Sequence, residues 1–458
     1  MENLKVIIAG GGTSGLATAI ELSKIGYTVT LLEAENEEEY NKKHNWSDAV
    51  DLEMLKAAGF DMPKGEGNKF IGKLVKTYPE GKGLFEPHRI DPLEIFDAEY
   101  NCKAKTPVRF DYIETDRQVL REMQLQQAKD LGVSILFDAP ALELLGETSG
   151  GLGEISIQGV KAFVEGEEIN LFADLVVDAS GSHSKLRTQL SAPEISTPFA
   201  KDDFNHAYRT VRHYNEDTPR TETFCDHYRY PAFKGYFWIQ FQADGIVDIG
   251  GGLPANGDVR TEDIVNEMVA SYPQISGNEI RGGTGLVHVG MPPDAIVATG
   301  FVVIGESAAQ VNPSNGCGVG GAINAAQILA GVLKKAQSVN ISELWEYAHT
   351  WFMVKGADYA ALLSTNKLIT GFTHEEMKVL TERNIMGGDT LNYNINGIFP
   401  PTSPSTLLRA LGLRLNHKDI LSALLKSSRS GKVAHKHYLD YPEKWNQATL
   451  TKWIQGKP

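Results

Sequence analysis

"LKVIIAGGGTSGLATAIELSKIGYTVTLLEAE", Leu4–Glu35, is the stretch that decides the fold. Leu4–Ala9 is a continuous apolar run closed by glycine, the pattern of a strand buried on both faces. Leu16, Ala19, Ile20 and Leu22 then come at helical spacing, and Gly26 suits a helix stop. Tyr27–Leu32 reads as a second strand, β-branched and apolar, ended by Glu33. Between strand and helix, Gly10, Gly12 and Gly15 spell G-x-G-x-x-G. Gly10 permits a tight turn, Gly12 lets the backbone approach a pyrophosphate, and Gly15 lets the helix pack close to the strand. The helix N-terminus, where Ser14 stands, offers N–H groups and the positive dipole end to phosphates. Glu33, eighteen residues beyond Gly15 and followed by Ala34, is placed to accept hydrogen bonds from an adenosine ribose. The ordered set predicts dinucleotide binding. The charge on Glu33 disfavours a 2′-phosphate, which leaves FAD or NAD.

The 458 residues suffice for two or three domains with a sizeable core. With 58 acids against 44 lysines and arginines, the net charge of −14 argues against nucleic acid as a partner. Cys102, Cys225 and Cys317 lie far apart and form no CxxC pair. No metal site, iron–sulfur cluster or disulfide framework is therefore expected, in keeping with a reducing, cytoplasmic location. The apolar run of "MENLKVIIAGGG" is too short for a signal peptide. No segment approaches the roughly 20 apolar residues that span a bilayer, so any membrane contact is expected to be peripheral.

The chain beyond the second strand separates FAD from NAD. A simple NAD domain would continue at once with further βαβ units. Here "EAENEEEYNKKHNWSDAVDLEMLKAAGF" (33–60) inserts an acidic loop, a polar turn and a short helix. An amphipathic helix and strand come only with "YIETDRQVLREMQLQQAKDLGVSILFD" (112–138). "DLVVDASGSHSKLR" (174–187) and "GESAAQVNPSNGCGVGGAINAA" (305–326) come later still.

This dispersed set resembles the FAD-dependent oxidoreductases of the aromatic-hydroxylase superfold. Asp178, Ser180, Gly181 and Arg187 match that family's D-G motif. Glu306 stands where the family carries the Asp that holds the ribityl chain of FAD. Gly316, Gly318, Val319, Gly320 and Gly321 match its glycine turn under the flavin, where N–H groups stabilise charge on the reduced ring. By the same resemblance Arg117 lies near the FAD phosphates, and the backbone of Ala141 meets the adenine.

Within the superfold three details are similar to the geranylgeranyl reductase branch, flavoproteins that saturate isoprenoid double bonds. A-S-G replaces the A-D-G usual in hydroxylases. "HNWSDAV" matches a C-G-D-A-like turn near the flavin, with Ser47, Asp48 and Ala49 matching its second half and Trp46 where the cysteine stands. "PAFKGYFWIQFQADGIVDIGGGLP" (231–254) matches the P…Y-x-W-x-F-P…G-x-G strand pair, although Gln240 and Phe241 replace Phe-Pro. Tyr236 and Trp238 share one strand face and are the expected pocket residues. No catalytic proton donor is assigned.

The resemblance implies an α/β fold: a Rossmann-like FAD-binding domain, an interleaved antiparallel-sheet substrate domain and a C-terminal helical region. The expected boundaries are 1–190 with 285–345 for the FAD domain (an insertion around 60–112), 191–284 for the sheet domain and 346–458 for the helices. It implies an apolar isoprenoid or prenyl-lipid substrate and an external electron donor, NAD(P)H or ferredoxin-like. The Leu-rich tail carries Arg409, Arg414, Lys418, Arg429, Lys432 and Lys436, and two readings of it stay open: peripheral contact with anionic lipid headgroups or a prenyl-lipid phosphate, and a solvated helical cap on the substrate domain. Two alternatives stay open: an aromatic or polyketide monooxygenase or halogenase-like enzyme, and a non-redox flavoprotein cyclase or isomerase. "YFWIQF" lacks the W-x-W-x-I-P expected of a halogenase.

Overall fold

The computed structural model describes residues 3–42, 47–51, 85–88, 94–97, 112–218, 227–230, 236–242, 245–369, parts of 372–401, and 404–458. The opening segment forms β1 (Lys5–Ala9), α1 (Thr13–Lys24) and β2 (Thr28–Leu32). Val6, Ile7 and Ile8 are all buried, as a strand run without polar alternation requires, and Val29 and Leu31 are buried on β2. The sheet around them has the order β17 (Val297–Ala298), β18 (Phe301–Val303), β11 (Leu175–Asp178), β1, β2, β7 (Ser134–Leu136). All neighbours are parallel except the short β17–β18 pair.

The register of this sheet positions the site. Val303, Asp178, Ala9, Leu32 and Leu136 stand side by side across five strands, each the last residue of its own. Gly10, Glu33, Ala179 and Ile304 therefore leave the sheet at one carboxyl edge, the place where open α/β sheets bind ligands. α1 packs against α3 (Arg117–Asp130) and α4 (Val319–Leu333), while the short α2 (Glu37–Lys42) lies beside α3.

β8 (Ala141–Glu147), β9 (Ser156–Val164) and β10 (Glu167–Phe172) form a small antiparallel sheet. β3 (Ser47–Asp51), β6 (Tyr112–Asp116) and β4 (Phe85–His88) form another, in the order β3-β6-β4. The large second sheet runs β16 (Ile275–His288), β12 (Phe204–Tyr214), β15 (Ile246–Pro254), β14 (Tyr236–Gln242), β13 (His227–Tyr230), β5 (Glu94–Asp97). β5 comes from the stretch read as an insertion into the FAD domain, yet it pairs in parallel with β13. Tyr208, Phe237, Ile239, Val247 and Ile249 face helix Thr261–Ala270 and make a core of their own. Alternation then turns Ala207, Arg209, Trp238, Gly250 and Gly252 to the opposite face. The remaining helices include Ile341–Trp351, Ala357–Ile369, α5 (Pro404–Leu411), α6 (Lys418–Leu439) and Gln447–Gln455. Trp345 stacks on Tyr441 at 5.3 Å and Phe352 on Tyr441 at 4.2 Å, tying the end of the chain to this helical layer.

Candidate functional site

A cavity of about 1270 Å³ lies between the carboxyl edge of the parallel sheet and the free face of the large antiparallel one. Gly10, Gly12, Ser14, Glu33 and Ala34 line it from the first motif. Glu306, Gly316, Gly318 and Val319 line it from the last motif, with Arg117, Ala141 and Trp238 from elements between. Gly15 lies beneath the turn rather than on the cavity: a Cβ there would stand 1.8 Å from the carbonyl oxygen of Gly10. Ser47 and Ala49 are on β3, where Ser47 pairs with Asp116 immediately before Arg117. Tyr236 is on β14 opposite Gly252. Trp46 falls outside the described residues.

The glycine turn is clamped from both sides. Gly10 adopts φ +109°, open to glycine and strained for any other residue, and its N–H donates to Leu32 O at 2.8 Å. One Glu33 carboxylate oxygen accepts from Gly11 N at 2.8 Å and the other from Glu35 N at 3.0 Å. Tyr40 Oη donates to Gly11 O at 2.6 Å, and the Arg121 guanidinium lies 4.6 Å from the Tyr40 ring centroid. Burial pushes the Tyr40 hydroxyl well above its usual range, so it remains a donor. Glu33 thus does local work the motif does not announce: it orients the turn as well as facing the cavity. Tyr40 had no sequence signal, because its partner is a backbone carbonyl 29 residues away.

Asp178 organises the second motif. Fully buried, it accepts from Ser180 N at 3.1 Å, Ser180 Oγ at 2.6 Å, Arg187 N at 3.1 Å and the Ser184 hydroxyl. A carboxylate so supplied with donors is what an acid at the end of a buried strand requires. Arg187 is also buried; its Nη1 donates to Ile195 O and Thr197 O, both at 2.8 Å, and its guanidinium covers Phe199 at 4.5 Å. Burial works against the Arg187 charge and the Asp178 carboxylate supports it.

The third motif docks on the first. Gly305 has φ +69°, and a Cβ there would meet Ser14 Oγ at 2.4 Å. Glu306 is next, its Oε1 accepting from His288 N at 3.1 Å. Burial pushes the Glu306 carboxyl up, while the His288 N–H and the charges of Arg117 and His183 pull it down. The His288 ring packs against Phe199 (3.9 Å) and Phe204 (5.2 Å), and neither ring nitrogen finds a hydrogen-bond partner among the described residues.

Burial and Arg187 hold His288 neutral down to about pH 3. In the unfolded chain the ring takes up a proton below about pH 6.5. The unfolded state then binds more protons, so this ring withdraws stability as pH falls from about 6.5 towards 3. At pH 5 the loss is about 2 kcal/mol, at about 1.4 kcal/mol per pH unit. His288→Phe should abolish that part: the stability difference between wild type and variant shifts by this amount in the variant's favour between pH 7.5 and pH 5. Denaturant midpoints at the two pH values check it, and an unchanged difference refutes a neutral His288.

The sheet wall carries a polar set absent from the motif. Asp248, fully buried on β15, accepts from Trp238 Nε1 at 3.0 Å and from Arg209 Nε at 2.9 and 2.7 Å, and it bridges Arg209 Nη2. Arg209 also lies 5.7 Å from the Trp238 ring centroid. The signal in the sequence was the acid within "IVDIGG", a charge in an apolar strand that must have a partner. A Cβ on Gly250 would stand 2.2 Å from the Trp238 ring, so that glycine seats the indole. Gly252 and Gly285 differ. They flank Ala207 in register on neighbouring strands and line the cavity, and a Cβ on either meets nothing within 4 Å.

The chain matches the FAD binding domain family over residues 3–206. It is 24% identical to digeranylgeranylglycerophospholipid reductase of Sulfolobus acidocaldarius, across 99% of this chain and 96% of the relative. The chain is an FAD-dependent oxidoreductase. Among solved structures the oxidoreductase superposes on a geranylgeranyl bacteriochlorophyll reductase-like protein from Thermoplasma acidophilum, with TM-score 0.69 and 15% identity over 93% of this chain and 100% of that one. It also superposes on a flavin-dependent brominase, with TM-score 0.58 and 14% identity over 92% of this chain and 100% of that one. These identities carry the fold: a parallel-sheet flavin domain, a separate antiparallel sheet and a helical C-terminus. The residues present fit the cofactor. Gly12 lines the cavity at the N-terminus of α1, and a Cβ added to it meets nothing within 4 Å, which leaves the helix entrance open to a phosphate.

Proposed function

We propose that this oxidoreductase saturates C=C bonds in the isoprenoid chain of a glycerolipid or prenyl diphosphate, drawing on reduced FAD. One observation carries the reading: beside Trp238 and Arg209, the sheet wall of the cavity holds a cross-strand row, Gly252–Ala207–Gly285, without side chains beyond a methyl. Its peptide groups lie in the β12–β16 and β14–β15 ladders, so it offers a thin apolar chain a flat surface with few free polar groups. The names of the relatives point the same way.

FAD, when bound, supplies hydride chemistry, and an external donor of the NAD(P)H or ferredoxin-like kind restores it. The chain's own residues bind, orient and exclude water. Gly10, Gly12 and Ser14 take the pyrophosphate at the α1 N-terminus with Arg117 beside it; Glu33 and Ala34 take the adenosine ribose and the backbone of Ala141 the adenine. Glu306 takes the ribityl hydroxyls, held in place by the His288 N–H. The amides of Gly316, Gly318 and Val319, which line the cavity, would support the flavin ring and stabilise charge on its reduced form. Ser47 and Ala49 of β3 belong to the flavin site, with Trp46 preceding them in the chain. Trp238 is fixed by Asp248 as a rigid side of the substrate pocket, with Tyr236 next to it on the same strand face.

Flavin reduced under anaerobic conditions should reoxidise on addition of a geranylgeranyl lipid, and the product mass should rise by two hydrogens per bond. A flavin that stays reduced sinks the substrate assignment. Oxygen consumption stimulated by an aromatic substrate would replace it with a monooxygenase. Glu306 is tested separately: Glu306→Asp should retain flavin nearly as wild type does, whereas Glu306→Ala should lower retention about tenfold, for the loss of hydrogen bonds to a charged group. Equal retention by both variants removes Glu306 from the site.

A further inference from the structure

Four leucines stand exposed on one short run of the C-terminal region: Leu407 (40%), Leu408 (70%), Leu411 (40%) and Leu415 (77%). The run comprises α5 and the turn of helix after it, Gly412–Arg414. Ala410 and Leu413 anchor it from the other side in a small core with Leu380, Ile385 and Ile420. At 3.6 residues per turn Leu407, Leu408 and Leu411 of α5 fall within about 100° of one another, turned away from the anchoring side, and Leu415 follows directly after the 3₁₀ turn. The fold holds the helix by one face and presents a second apolar face outward.

The charge around this face indicates what covers it. From Pro404 to Leu439 the chain carries seven lysines and arginines against one acid, Asp419, although the whole protein has 58 acids and 44 lysines and arginines. Arg414 and Lys418 are exposed beside the leucines, and Lys426, Arg429, Lys432 and Lys436 are exposed on α6. A second copy of the chain is a poor match, because a twofold contact through the stripe would bring its basic flanks together. Leucines beside cations are the composition of a helix lying in a membrane interface, its apolar face in the acyl boundary and its cations at anionic headgroups. Among the described residues no helix is long and apolar enough to cross a membrane.

We propose that the α5 face, Leu407, Leu408, Leu411 and Leu415 with Arg414 and Lys418, docks the protein on the surface of an anionic lipid bilayer. The proposal does not rest on the isoprenoid reading: the test uses vesicles without isoprenoid and stands whatever the flavin reduces. The flavin-loaded protein is sedimented with phosphatidylcholine vesicles, with or without phosphatidylglycerol, at low and high salt. It should partition onto the anionic vesicles and much less onto the neutral ones, and should be released by salt. Arg414→Gln and Lys418→Gln should each weaken partitioning about fivefold. Leu408→Asp/Leu415→Asp should weaken it at least about tenfold, with flavin content and melting temperature unchanged because both side chains are exposed. Failure of the wild type to bind anionic vesicles overturns the proposal. So does binding that the leucine variant leaves intact. A concentration-dependent dimer abolished by that same variant would assign the face to self-association instead, and likewise overturn it.

Discussion

Gly15→Ala should yield a protein purified with at least about tenfold less flavin and destabilised by about 2 kcal/mol. Two effects oppose each other. In a helix, alanine in place of glycine contributes about 1 kcal/mol of stability. Against it, the new Cβ would stand 1.8 Å from the carbonyl oxygen of Gly10, where anything under 3.0 Å forces a shift. The obstacle is backbone, so no rotamer change relieves it, and overpacking of this kind costs about 1–3 kcal/mol and occasionally more. α1 must move away from β1, and the movement opens the Gly10–Gly12 turn that faces the phosphates. Gly331→Ala in α4 is the control: a Cβ there meets nothing within 4 Å, so the propensity gain should appear undiminished. Flavin absorbance per protein and thermal melts of both variants decide it. A Gly15→Ala protein with full flavin content would show that close helix–strand packing is dispensable.

Gly252→Leu and Gly285→Leu should separate activity from stability in opposite directions. Glycine inside a strand costs about 0.5–1 kcal/mol in chain entropy, and neither position has a neighbour within reach of a Cβ. Each variant should therefore be as stable as wild type or slightly more so, and retain its flavin. Each side chain would project into the cavity over the Gly252–Ala207–Gly285 row. Displacing a substrate chain there by about 1 Å can reduce turnover on the order of 100-fold. Single-turnover reoxidation of the reduced enzyme with a geranylgeranyl lipid measures the loss, and denaturant titration measures the stability. Unchanged turnover would remove this row from the substrate path.

The parts of the site legible in the sequence are those where the backbone itself is constrained. Gly10 and Gly305 adopt positive φ, and Gly15 lies against a carbonyl, so each announces itself as glycine at a fixed spacing. β1 was legible because a strand buried on both faces does not alternate with polar residues, and β2 because its threonines, valine and leucines favour a strand. Trp238 was legible from strand parity, and the cavity receives it. By contrast, Tyr40 on Gly11 O, Asp248 between Trp238 and Arg209, and the His288 N–H on Glu306 join residues that no local pattern relates. β5, read as part of an insertion, became a strand of the large sheet for the same reason: its partner β13 lies more than a hundred residues on.

The sequence by itself determined a flavin-binding α/β architecture, because local sterics and hydrophobic periodicity act over a few residues and survive in a linear text. Only the tertiary structure decided that Ala9, Leu32, Asp178 and Val303 end side by side, which brings Gly10, Glu33 and Glu306 to one cavity. Strand register between distant segments is set by the summed burial of whole faces, since a slip of one residue would turn every side chain to the wrong side. No single motif contains that sum.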